Sequence, residues 1–360
     1  MAHVTASFPP LALWLAFATG IPSALAASRS DYLSDAMNAT DVLNQKWYDA
    51  STGLYQNQWW NSANALTSLA DLASINKDQF LSTAEYYFST SLTAAPKTNG
   101  GSFLNNYYDD EGWWAMAWIR AYDVTGNSQY LDTAKTIFKD LLTGQNATCG
   151  GQWWSKDKGY EASIANELFF EVAASLANRA GNDGTDYQSY AKSELDWFLG
   201  SGLINSDNTI NDGIVISSCK PNGTVWSYNQ GVILGGLVEM HKLTNDQSHI
   251  DTANRIAGGA LAHLVDSNGI LTDPGYPGPP DETAAQFKGV FARNLAELQA
   301  ASPNDQYVQF LQKNADSIWK SDRQGDGQIG PDWQGPYYTA SMATQSSALD
   351  CVIAAAMVSS

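Results

Sequence analysis

The chain has 360 residues, 44% hydrophobic and 12% aromatic with 13 Trp, which is enough apolar surface for one large domain or two ordinary ones. A formal net charge of −18 excludes a nucleic-acid backbone or an anionic membrane as partner, because both require basic patches. It suits a neutral ligand, and the surplus of Trp and Tyr suits sugars, whose apolar C–H faces lie flat on aromatic rings.

Residues 1–26 read as a secretory signal peptide. Residues 11–18 form its apolar core, and Ala24-Leu25-Ala26 offers a small-residue cleavage site. Residues 27–360 follow as a single expected domain. Sequons at Asn38, Asn146 and Asn222 agree with export as a glycoprotein. The apolar run at 354–358 is too short for a lipid-anchor signal, so the expectation is a secreted, extracellular monomer without a membrane anchor.

From there the chain is almost all amphipathic helix. A mixed helix over 31–48 precedes Trp59-Trp60-Asn61-Ser62 and a more apolar helix over 63–75. A mixed helix over 79–94 leads through Gly100-Gly101 to Asn105-Asn106-Tyr107-Tyr108-Asp109-Asp110-Glu111-Gly112-Trp113-Trp114, which opens an apolar helix ending at Gly126. The alternation repeats four more times, with mixed helices over 128–142, 186–199, 248–265 and 306–320. Apolar helices follow over 162–180, 232–243, to Ala300, and over 341–358. Six cycles of this kind predict an all-α (α/α)6 barrel, six buried inner helices shielded by six amphipathic outer ones. The only strand-like run is Ile214-Val215-Ile216.

Connections leaving the apolar helices are short, whereas those entering them are long and rich in Trp, Tyr, Gly and Asn. In an alternating ring all entering loops lie at one end, so their side chains converge on one opening with Asp109 and Asp110 at its edge. Acidic residues suit the first turn of a helix, where unpaired N–H groups and the positive dipole end lie. Two carboxyls in a neutral aromatic pocket also suit glycoside hydrolysis: one attacks or activates water, and the other, kept protonated by burial and by its neighbour's charge, protonates the leaving oxygen. An activity optimum on the acid side follows from that division. Glu111 is read as structural.

Other chemistries find no equipment. His3 lies in the signal, and His241, His249 and His263 fall at a helix end or on outer helices, so a histidine acid–base pair is missing from the loop end. Asp322, Asp326 and Gly327 partly mimic a calcium loop, but Gln324 and Trp333 occupy positions that need ligands, so this is a turn. No metal or cofactor is expected. Cys149 and Cys219 lie in loops and are the expected disulfide; Cys351 lies in an apolar helix as a buried thiol.

The chain resembles glycoside hydrolase family 76, the endo-α-1,6-mannanases and related fungal cell-wall proteins. The likeness is carried by the Tyr107-to-Trp114 stretch, Gly150-Gly151-Gln152-Trp153-Trp154, Asn211-Asp212-Gly213-Ile214, Asn222-Gly223-Thr224-Val225-Trp226-Ser227-Tyr228-Asn229-Gln230-Gly231, Phe287-Lys288-Gly289-Val290-Phe291 and Gln345-Ser346-Ser347-Ala348-Leu349-Asp350. It implies an (α/α)6 barrel, a retaining mechanism on α-1,6-linked mannose, Asp109 as nucleophile and Asp110 as acid/base. α-1,6-Mannan or its oligosaccharides would be the partner. Alternatives are a cell-wall transglycosylase, which hands the glycosyl intermediate to another sugar, and a non-catalytic mannan-binding protein. Trp59, Trp60, Tyr108, Trp153, Trp154, Trp226, Tyr228 and Phe287 are expected to stack on sugars or to seal the ring. Asn211, Asp212, Asn229 and Gln230 are expected to bind hydroxyls or cap helices. Lys288, a cation in a first helical turn, opposes the dipole and is expected at the site.

Overall fold

The computed structural model describes residues 27–274 and 283–360; the signal-peptide reading and most of the Gly/Pro-rich 273–280 loop lie outside them. Twelve α-helices are present among the described residues. The even-numbered ones are α2 (Trp59–Ile75), α4 (Tyr108–Thr125), α6 (Ser163–Arg179), α8 (Ser227–Thr244), α10 (Phe287–Ala301) and α12 (Met342–Val358). The odd-numbered ones are α1 (Arg29–Trp47), α3 (Lys77–Thr98), α5 (Ser128–Leu141), α7 (Tyr187–Gly200), α9 (Gln247–His263) and α11 (Asp305–Ser321).

The two sets differ in burial as their sequences demand. On α5 only Tyr130, Leu131, Ala134, Ile137, Phe138 and Leu141 are buried, one stripe at three- and four-residue spacing. On α6 every residue from Ser163 to Leu176 is buried, and on α12 every residue from Met342 to Ala356. The even helices form a closed inner ring in chain order, α12 returning to pack on α2, and the odd helices cover it from outside. Two glycines let neighbouring inner helices approach closely. A Cβ on Gly231 would lie 2.7 Å from the Phe291 backbone, and one on Gly289 would lie 2.6 Å from that of Ser347.

The inner helices are buried yet not uniformly apolar. Arg293 reaches inside the ring to donate to Asp350 at 3.1 Å and to Asn64 at 2.6 Å, and Ser68 donates to Asp350 at 2.5 Å. Buried polar groups survive only when paired, so this cluster ties α2, α10 and α12 together across the interior.

The loops entering the inner helices collect at the helix N-terminal end. Strands β1 (Tyr48–Asp49) and β2 (Leu54–Tyr55) make a short hairpin there, and β3 (Glu161–Ala162), β4 (Gly213–Val215) and β5 (Lys220–Asn222) pair antiparallel in that order. A Cys149–Cys219 disulfide fastens this small sheet to the loop before α6, and Cys351 is a buried thiol. After each of α7, α9 and α11 the chain makes the same narrow turn, closed by bridges Ile204–Ile210, Val265–Leu271 and Arg323–Ile329. The calcium-like stretch starting at Asp322 is the third of these turns.

Two starts differ from the sequence expectation. α2 begins at Trp59 instead of Ala63, and α8 at Ser227 instead of Val232. The polar residues that imitate loop composition there are satisfied inside: Gln230 bonds both the N–H and the C=O of Ile210 and also the carbonyl of Trp226.

Candidate active site

At the loop end lies a cleft of about 440 Å³, within the range of small-molecule sites. α4 supplies Asp109, Asp110 and Trp113 to it, and α4's N-cap residue Tyr107 joins them. α2 contributes Trp60, α8 Tyr228 and α10 Phe287, while the loops and strands before α6 and α8 bring Trp154, Tyr160, Ala162 and Asp212. Trp60 stacks on Trp113 at 6.0 Å, and Tyr228 lies nearly parallel to Phe287 at 3.7 Å. Tyr107 leans on Trp154 at 4.9 Å. Flat apolar faces therefore surround the acidic residues.

Each carboxyl of the pair is held by an N–H from a different loop. The Trp154 indole donates to Asp109 Oδ2 at 2.9 Å, and the Asn105 amide donates to Asp110 Oδ2 at 2.6 Å. Asp109 Oδ1 is buried with no hydrogen-bond partner among the described residues. Burial, then the charge of Asp110, pushes Asp109 up to about 8, against the pull of the indole. Burial raises Asp110 to about 6, opposed by Asn105. Two carboxyls so placed share a single proton near neutral pH and titrate as a pair. That window is closer to neutral than the acid optimum expected from sequence, because burial raises both carboxyls of the pair and not one alone.

Asp212 is a third carboxyl on the cleft, accepting the Tyr160 hydroxyl at 2.7 Å; burial raises its pKa. Beneath the floor, Asn229 donates to fully buried Glu167 at 3.2 Å. Glu111 is structural: it accepts the Asn105 backbone N–H at 3.0 Å and the Lys156 ammonium at 2.9 Å.

Of the expected ligand-contacting residues, Trp60, Trp154, Asp212, Tyr228 and Phe287 line the cleft. The others do not. Trp59 packs inward on Trp114 at 5.0 Å and Phe103 at 6.1 Å. The Tyr108 hydroxyl bonds Thr143 at 3.0 Å, on the far side of α4. Trp153 is buried, and Trp226, half-buried, meets Phe287 edge-on at 5.6 Å without lining the cleft. Asn211 braces its loop by donating to the Gly223 carbonyl at 3.1 Å, and Asn229 is spent on Glu167. Lys288 is fully buried, donating to the Pro331 carbonyl at 2.8 Å and lying 4.5 Å over the Trp333 ring. Burial lowers it to about 8 against the opposing charges of Asp273, Asp322 and Asp332. Successive helical side chains diverge by about 100°, so with Phe287 facing the cleft Lys288 faces away. Tyr107, Trp113 and Tyr160 also line the cleft and carry no ligand expectation in the sequence, although all three lie in or beside loops that enter inner helices.

The model of glycosyl hydrolase family 76 matches residues 26–360. The chain belongs to that family. Family 76 relatives are close in shape and distant in sequence. The mannan endo-1,6-alpha-mannosidase DFG5 of Saccharomyces cerevisiae is 24% identical, over 80% of this chain and 68% of its own length. Dfg5 from Chaetomium thermophilum, solved with glucosamine, superposes with a TM-score of 0.79 at 19% identity, over 92% of each chain. An inactive variant of the α-1,6-mannanase GH76A of Salegentibacter sp. HEL1_6, with two successive aspartates changed to alanine, was solved with α-1,6-mannotetrose. It superposes with a TM-score of 0.82 at 20% identity, over 91% of this chain and 99% of its own. As a family 76 member the chain is a glycoside hydrolase with an all-helical (α/α)6 barrel.

Proposed function

We propose that this family 76 hydrolase is a secreted, retaining endo-acting mannanase that cleaves α-1,6-linked mannose chains, with Asp109 as nucleophile and Asp110 as acid/base. The observation that carries the reading is the adjacent pair on the first turn of α4, buried, facing an aromatic cleft, with both carboxyls raised by burial. The substrate comes from the relatives, whose names specify mannan endo-1,6-α-mannosidase, and from the mannotetrose held by the aspartate-substituted neighbour. Export is supported by the disulfide and by three sequon asparagines that are all exposed; no described helix is long and apolar enough to cross a membrane. A single chain carries every cleft residue named above, so a monomer suffices.

In the first step Asp109 Oδ1 attacks the anomeric carbon. The bond to the leaving oxygen breaks as Asp110 passes its proton to that oxygen. The sugar's developing positive charge favours an ionised Asp109, which draws the shared proton to Asp110. In the second step Asp110, now a carboxylate, takes a proton from water as the water displaces Asp109 and restores the anomeric configuration.

The test is to incubate the protein with unbranched α-1,6-mannan, size the products over time and follow the anomer first released by NMR. Shortening chains with retained α configuration are expected. Binding without cleavage would overturn the reading in favour of a lectin, and products longer than the starting chains would show transfer in place of hydrolysis. Asp109→Asn should abolish turnover of mannan and of activated aryl mannosides alike. Asp110→Asn should spare the aryl substrates in part, because a good leaving group needs little protonation.

A further inference from the structure

Asn105 belongs to the loop between α3 and α4 and does not line the cleft, yet its hydrogen bonds all converge on the acidic turn. Its backbone N–H donates to Glu111 Oε1 at 3.0 Å, its side-chain Oδ1 accepts the Tyr107 backbone N–H at 2.8 Å, and its Nδ2 donates to Asp110 Oδ2 at 2.6 Å. The orientation of the amide is not arbitrary. A backbone N–H can only donate, so the atom facing Tyr107 must be the oxygen, and the NH2 group is left pointing at Asp110. The loop beneath is itself fixed. Asn99 donates to the carbonyls of Ser102 and Leu104, each at 2.9 Å, and Phe103 is wedged against Trp114 and Trp118 at 4.8 and 5.2 Å.

We propose that Asn105 is a positioning residue for Asp110: its immobilised amide occupies Oδ2, so the proton delivered to the leaving oxygen is carried on Oδ1, the oxygen left to the cleft. The inference rests on Asp110 being the acid/base. An Asx turn alone would need only Oδ1; the second arm of the amide serves the carboxyl. An N–H donor also favours the ionised carboxyl, so Asn105 limits how high burial lifts Asp110. Asp110 therefore releases its proton to the leaving oxygen and recovers one from water within the same neutral window.

Two variants separate this role from a purely structural one. Asn105→Asp keeps the acceptor for Tyr107 N–H and nearly the same shape, but turns the donor facing Asp110 into an acceptor; Asn105→Ala removes both. Both are compared with wild type on α-1,6-manno-oligosaccharides and on an activated aryl mannoside, with thermal unfolding as the control for folding. For Asn105→Asp the expected result is an unchanged KM and a Tm lowered by less than in Asn105→Ala, since the new carboxyl faces that of Asp110. Its kcat on the oligosaccharide should fall about tenfold or more, the scale of one charge-assisted hydrogen bond. The loss on the aryl substrate should be smaller, and the basic limb of the kcat profile, which reports Asp110 in the sugar complex, should move upward because Asp110 holds its proton more tightly. For Asn105→Ala the same upward shift is expected at a lower Tm. Equal losses on both substrates with an unmoved basic limb, or full activity, would overturn the proposal. A wild type that cleaves neither substrate would instead overturn the functional reading on which the proposal rests.

Discussion

Replacing Trp154 by Phe removes the indole N–H that donates to Asp109 Oδ2 at 2.9 Å and leaves an aromatic ring to face Tyr107, now 4.9 Å away. A hydrogen bond to a charged group contributes about 1.5–3 kcal/mol. Asp109 must be ionised when it attacks, so that stabilisation belongs to the reactive form, and at about 1.4 kcal/mol per tenfold the rate should fall about 10- to 100-fold. The same loss raises the pKa of Asp109 by about one to two units. Its sign sets the visible effect: in the sugar complex, where the shared proton sits on Asp110, an ionised nucleophile is lost as pH falls, so the acid limb of kcat moves to higher pH. The assay is steady-state kinetics on α-1,6-manno-oligosaccharides across pH, with calorimetric binding of the same sugars. A lower kcat with nearly unchanged binding is expected. Unchanged kcat with a raised KM would refute the reasoning, and would mean that Trp154 serves only as a stacking surface.

For wild type, kcat/KM should trace a bell whose limbs both lie above the ordinary carboxylate range, because below the lower limb the nucleophile is protonated and above the upper one no proton remains to donate; an optimum near pH 4 would contradict the dryness of the site. Cys149→Ser should lower the denaturation free energy by about 2–5 kcal/mol, since the disulfide closes a chain separation of 70 residues. It should also weaken activity, because the tied loops carry Trp154 and Asp212; an unchanged urea midpoint would count against it. Arg293→Met leaves Asp350 buried without its cation and should cost about 3–5 kcal/mol in urea unfolding, against which a loss below about 1 kcal/mol would argue.

The ring, the position of the acidic pair and the covalent link between Cys149 and Cys219 were legible in the sequence. Hydrophobic periodicity reports how fully a helix is buried, and loop length and composition report which end of the ring is crowded. α5 and α12 differ in their sequences as they differ in burial. Periodicity does not tell which way a residue near a helix start will turn. Phe287 and Lys288 are neighbours in the chain, and one faces the cleft while the other points into the protein. Tyr108 and Asp109 part in the same way. The rotation of each inner helix about its own axis is set by contacts with two ring neighbours and an outer helix, and those contacts join segments far apart in sequence. Tyr160 thus reaches Asp212 from 52 residues away, and Trp154 reaches Asp109 from 45. The sequence by itself determined where along the barrel the carboxyls lie. Only the tertiary structure decided which N–H groups hold them, Trp154 from a loop 45 residues away and Asn105 from the folded loop just before α4, and with that how their proton is shared.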